Sequence, residues 1–141
     1  MEEISNDSNL EELLSLDYKN IKKFTLNGLI KTAKVIKVYD GDTITVVFKH
    51  KGEYNKWNCR IYGIDTPEIK TNNPEEKKAA IIVRDFLKDL ILYKIVIIEC
   101  MDFDKYGRLL GNVFYDDKNI MKMMIDNKYG KLYFGGTKEK F

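Results

Sequence analysis

The sequence predicts an α+β domain that is mainly β: five short strands closing into a small Greek-key barrel, a long helix between the third and fourth strands, and a short helix after the fifth. Three observations carry this expectation. Runs of β-branched and aromatic residues alternate with turn-forming clusters as far as Ile64. The apolar spacing then becomes helical over Glu75–Leu92. Two more β-rich runs follow, and a second, shorter helical stripe closes the pattern.

The elements follow in order. Thr32–Tyr39 is rich in β-formers and reads as the first strand, ended by the Asp40-Gly41-Asp42 turn. Thr43–Lys49 alternates, with Ile44, Val46 and Phe48 on one face. His50–Lys56 is polar and reads as a second turn, so the third strand is Trp57–Ile64, broken near Gly63. Pro67 interrupts regular pairing and opens a loop through Pro74. In Glu75–Leu92, Ala79, Val83, Phe86, Leu87 and Leu90 share a face, and Glu75 and Glu76 suit the positive end of the helix dipole. Ile95–Cys100 and Leu109–Tyr115 are the fourth and fifth strands. Asn119 caps a short helix whose Met121, Met124 and Ile125 read as core, and Tyr129–Phe141 reads as irregular. This order of five strands and two helices suits an OB-type barrel.

The 141 residues are of one-domain size. Residues 24–141 form the expected domain, and residues 1–23 an acidic N-terminal extension. In that extension Ser8 and Glu11 fit a capping box, and Leu10, Leu13 and Leu14 form one short apolar stripe. A helix this short is marginal in water, so it is expected to dock on the body or stay loose. Of the 22 acidic residues, six lie in residues 1–17, which hold no Lys or Arg; the rest of the chain carries 24 basic against 16 acidic residues. A basic body suits a polyanionic partner such as a nucleic acid. No apolar run approaches the ~20 residues of a membrane span, and Met1–Ser5 offers no secretory apolar segment. An intracellular location is therefore expected. Cys59 and Cys100 lie in apolar runs and read as buried free thiols.

Three strings carry the chemistry: Asp40-Gly41-Asp42-Thr43, Arg60 through Glu68, and Asp104-Lys105-Tyr106-Gly107-Arg108. Asp42 and Asp65 end neighbouring runs and can converge on one hard cation, for which oxygen donors select Ca²⁺, Mg²⁺ or Mn²⁺ over zinc. Asp102-Phe103-Asp104 does not fit an EF-hand, because Tyr106 and Val113 occupy ligand positions. The chain has three arginines against 21 lysines. Arg60 lies mid-strand among apolar residues, where a charge is costly unless it is paired or faces a site, and Arg108 follows a glycine turn. Each is equally consistent with a structural ion pair and with a phosphate fork. Carboxylates, a cation and arginines together suit phosphodiester chemistry.

From about Lys34 to Lys131, these strings resemble, in order and spacing, the staphylococcal nuclease (thermonuclease) family. The resemblance implies an OB barrel with helices and a Ca²⁺-dependent, sugar-nonspecific nuclease. Such an enzyme cleaves DNA and RNA at the 5′ oxygen to leave 3′-phosphate ends. By motif position, Asp42 and Asp65 would be Ca²⁺ ligands with the carbonyl of Thr66. Glu68 would be the general base, and Arg60 and Arg108 would stabilise the phosphate. Lys105 and Tyr106 would contact a neighbouring phosphate, Tyr133 would pack the nucleotide, and Asp40 would support the metal site from behind. A monomer with no obligate protein partner is expected.

The chain also departs from the family pattern. About a dozen residues follow Lys128, so a further family helix is expected to be absent or replaced by the Gly-rich tail. Phe134 and Gly135-Gly136 stand where a second tyrosine is expected, and the Ile69–Pro74 loop is short. The alternative is a nuclease-like module that binds nucleic acid or protein without cutting. A scaffold built through residues 1–17 has only the leucine stripe behind it.

Overall fold

The computed structural model describes residues 8–135. Met1–Asp7 of the acidic extension and residues 136–141 of the tail lie outside the described residues. Eight strands and three α-helices follow one another: α1 (Ser8–Ser15), β1 (Ile30–Val38), β2 (Thr43–His50), β3 (Glu53–Ile61), β4 (Gly63–Asp65), α2 (Pro74–Ile91), β5 (Ile95–Phe103), β6 (Leu109–Tyr115), β7 (Lys118–Asn119), α3 (Ile120–Asp126) and β8 (Lys131–Tyr133).

Antiparallel pairing in the order β3-β2-β1-β5-β6-β7, with a further parallel pairing of β3 to β6, closes β1, β2, β3, β5 and β6 into a five-stranded barrel. This is the expected OB-type architecture. Inward residues such as Val35, Ile44, Val46, Phe48, Ile61, Ile98 and Val113 fill it, and Leu87 and Ile91 of α2 cap them. The thiols of Cys59 and Cys100 are buried in this core and unbridged, and burial pushes Cys59 up to about 12.

The third strand begins four residues before the sequence reading placed it. Lys51 and Gly52 both adopt positive φ, 49° and 83°, and make a two-residue hairpin turn. Glu53–Lys56 therefore pairs with Val47–His50. Residues 53–56 are exposed on both faces, so no apolar alternation marks them as a strand. The buried stripe of α2 is Ala80, Val83, Leu87 and Ile91, while Phe86 and Leu90 lie at its margin. The tail is not wholly irregular either: Lys131–Tyr133 pairs with Gly63–Asp65 in a separate two-stranded sheet. That pairing joins segments far apart in sequence and leaves no local pattern.

In the extension, α1 is helical, but Leu10, Leu13 and Leu14 remain exposed. The stripe therefore does not dock on the described body. Leu26 is the first fully buried residue of the core.

Candidate active site

The Asp40-Gly41-Asp42 turn joins β1 to β2 and is pinned from above by α2 and the segment after β4. A Cβ on Gly41 would lie 2.4 Å from Val83 Cγ1 and 2.8 Å from Thr66 Oγ1, so glycine is what allows this approach. The Asp40 carboxylate accepts the Asp42 N–H at 3.2 Å. Asp42 Oδ1 accepts the Thr43 hydroxyl at 3.0 Å, and its Oδ2 accepts the Thr66 N–H at 3.1 Å and the Thr66 hydroxyl at 3.0 Å.

Arg60 enters this nest from the end of β3. Its Nη1 donates to the carbonyls of Ile61 and Ile64 at 3.0 and 2.7 Å. Its Nη2 lies 3.6 Å from Asp42 Oδ2 and 3.5 Å from Asp65 Oδ1. Asp40, Asp42, Arg60, Asp65 and Thr66 are all buried, none more than 8% exposed. Burial, and then the charge of Asp42, raise the Asp40 carboxyl to about 7. Two carboxylates, those of Asp42 and Asp65, thus face one guanidinium, and Asp40 stands behind Asp42.

The facing wall is the turn between β5 and β6. Asp104 Oδ1 accepts the Tyr106 and Arg108 N–H groups, both at 2.9 Å, and Oδ2 accepts Arg108 Nε at 2.7 Å. Burial raises the Asp104 carboxyl, but the Arg108 and Tyr106 hydrogen bonds and the Arg108 charge together hold it below its ordinary value. The Arg108 guanidinium and the Lys105 ammonium lie 5.4 and 5.2 Å from the Tyr106 ring centre.

Between these walls is an open cleft of about 460 Å³, lined by Tyr39, Asp40, Asp42, Thr43, Arg60, Glu68, Lys70, Tyr106 and Arg108. Asp65 and Thr66 lie behind it, against Arg60 and Asp42. Glu68 is exposed at the cleft, and its backbone N–H reaches the Glu76 carboxylate of α2 at 3.5 Å. A second cleft of about 230 Å³ shares Arg60, Tyr106 and Arg108, and adds Lys105, Tyr133 and Phe134. The ring of Phe134 packs 5.4 Å from that of Tyr62.

The structure thus gathers the sequence-derived residues around two adjoining clefts. The structure also decides one open alternative and adds two residues. Both arginines are ion-paired within the protein, Arg60 to the nest and Arg108 to Asp104. Lys70 and Tyr39 join the cleft without belonging to any of the three strings. Lys70, two residues after Glu68, was the one visible signal.

The donor set fits a hard divalent cation. Oxygens of Asp42 and Asp65 converge on Nη2 of the Arg60 guanidinium, and oxygen is the donor type that such ions prefer. Among the described residues no three His, Cys, Asp or Glu side chains group as metal ligands. An ion here would rest on two carboxylates, a backbone carbonyl and water, a ligand type that Ca²⁺ and Mg²⁺ accept.

Residues 58–140 match the family model described as staphylococcal nuclease homologue. The chain belongs to this family. It is similar to a thermonuclease of Staphylococcus hyicus (36% identical; 74% of this chain, 58% of the relative). It is also similar to an uncharacterized protein of Methanocaldococcus jannaschii (34%; 74% and 58%) and to an uncharacterized endonuclease of Escherichia coli (32%; 65% and 54%). The chain spans little more than half the length of these relatives. No helix among its described residues is long and apolar enough to cross a membrane.

Proposed function

We propose that this staphylococcal-nuclease-like chain is a Ca²⁺-dependent, sugar-nonspecific nuclease that cuts DNA and RNA at the 5′ oxygen, leaving 3′-phosphate ends. The observation that carries the reading is one cleft in which an acidic nest, a solvent-facing glutamate and two arginines meet across an open gap.

Asp42, Asp65 and the Thr66 carbonyl would hold the ion, with Asp40 behind them. The chemistry such an ion supplies is polarisation of a phosphoryl oxygen and orientation of the attacking water. Glu68 takes the proton from that water; it is the cleft's exposed carboxylate. Arg108 presents a planar fork to the phosphate, held in place by Asp104 and Tyr106. Arg60 contributes a positive charge from the opposite, nest side of the cleft, and its Nη2 exchanges carboxylate oxygens for phosphate oxygens when substrate enters. Lys105 and Tyr106 contact the neighbouring phosphate, and Tyr133 with Phe134 borders the nucleoside in the adjoining cleft.

One observation favours the second reading, a module that binds nucleic acid without cutting it: Arg60 already satisfies the nest as an internal cation. Incubating the folded protein with DNA and RNA under Ca²⁺, and identifying the ends produced, separates the two. Ion-dependent fragments ending in 3′-phosphate support the nuclease; intact strands in the presence of bound ion support the module.

A further inference from the structure

We propose that the outward face of β1, β2 and β3 is a track for one nucleic-acid strand leading out of the cleft. The inference rests on the nuclease reading only in where the strand begins. Residues directly opposite in antiparallel strands project to the same side. The register therefore sorts this face into rows. Thr43 pairs with Arg60, and both line the cleft. The next row is Lys37–Thr45–Asn58, then Lys34–Val47–Lys56, and finally Lys49–Tyr54.

From the first row to the last is six residues of β3, or about 20 Å at the rise of a strand. This is the length of a few nucleotides of extended backbone.

Charge and exposure point to the occupant. On this face the three strands carry Lys34, Lys37, Lys49, Lys56 and Arg60, while Lys31, opposite the buried Ile98, belongs to the other face; their single acid is Glu53. Glu53 pairs with His50 and alternates to the opposite face from Tyr54. Lys34, Lys37, Lys49 and Lys56 are exposed. Tyr54 is 71% exposed at the far end, with the Lys49 ammonium 5.7 Å from its ring centre. A face with a cation in every row, no acid, and an open aromatic ring at its end is the chemistry that holds a single strand, through phosphate pairing and base stacking.

The test is binding of the full chain to a fluorescent oligodeoxythymidylate of about 12 nucleotides, a length suited to one such barrel, and to a trinucleotide. Chelator is present throughout, so nothing is cut. Replacing Lys34, Lys37 and Lys56 together by Ala should weaken 12-mer binding roughly tenfold or more. The slope of log affinity against log salt should become shallower by roughly 2, the loss of three single-strand phosphate contacts. Trinucleotide binding should not change. Tyr54→Ala, a second and independent variant, should weaken the 12-mer roughly tenfold, the scale of one lost stack.

Parental affinity and salt slope in both variants would overturn the proposal. So would an equal loss for the trinucleotide, which would place the lysines at the cleft and not beyond it. A chain that holds the 12-mer through these lysines yet cuts nothing with Ca²⁺ would sink the nuclease reading alone. One that cuts while ignoring the lysines would sink the track alone.

Discussion

Asp42, in the turn between β1 and β2, and Asp65, at the end of β4, direct carboxylate oxygens at the same nitrogen, Nη2 of Arg60, from 3.6 and 3.5 Å. Burying two anions beside one cation is costly unless each is paired and hydrogen-bonded, and Asp42 is held by the Thr43 and Thr66 hydroxyls and the Thr66 N–H as well. An arrangement so expensive marks a site built for charge, and the guanidinium occupies the place where charge is needed. The predictions below follow from it.

Arg60→Met removes the cation that Asp42 faces in the interior. Stability without added metal should fall by about 3–5 kcal/mol, the cost of breaking a buried pair by deleting one partner. Adding Ca²⁺ should raise the variant's denaturation midpoint more than the parent's. Equal responses to Ca²⁺ would argue that the ion does not bind between these carboxylates.

Glu68→Gln keeps the shape of the cleft and loses the base. Turnover of single-stranded DNA should fall by roughly 10²–10⁴-fold, the contribution of a positioned general base. Glu68 is exposed at the cleft and outside the core, so the variant should still fold, as its denaturation curve would report. Full activity in the variant would assign the proton to another group.

Arg108→Ala should cost on the order of 10²-fold or more in turnover. Arg108→Lys should recover little of it. An ammonium cannot offer a planar fork while it also bonds Asp104, as Arg108 does through Nε at 2.7 Å. Recovery by lysine would reduce the residue to a point charge.

Asp40 makes stability fall as pH rises when no metal is present. Its carboxyl is raised to about 7 in the fold by burial and by Asp42, and ionises near its ordinary value when unfolded. The native state thus binds the extra proton between about pH 4 and 7. The destabilisation accumulates across that window and is complete above it. Asp40→Asn, which can still accept the Asp42 N–H, should flatten the slope in denaturant melts run with chelator. An unchanged slope would contradict this account.

Much of this molecule was legible in its sequence because the decisive signals are local. Leu109–Tyr115 forms a strand over the range expected for it after the Tyr106-Gly107 turn, and Asn119 caps α3 by accepting the Lys122 N–H. Both depend on neighbours in the chain. What escaped has no apolar period of its own and depends on pairing with another segment. Glu53–Lys56 is a strand only because the Lys51-Gly52 turn folds it onto β2, and its exposed residues show no period. Lys131–Tyr133 is a strand only because Gly63–Asp65 lies beside it.

The same holds for the site. The three strings named the residues, since turn chemistry and scarce arginines are visible in one dimension. The position of Asp65 behind the cleft, and the capture of Arg60 by two backbone carbonyls, come from how the chain bends between β3 and β4.

The most direct measurement is cleavage of single-stranded DNA by the purified chain across Ca²⁺ concentration, with chelator as the reversal and calorimetry reporting ion binding in parallel. The account predicts that cutting rises with occupancy of one site, stops on chelation, and that Asp42→Asn loses both binding and cutting. Undiminished ion binding and cutting in Asp42→Asn, or intact DNA beside a folded and ion-loaded chain, would contradict it.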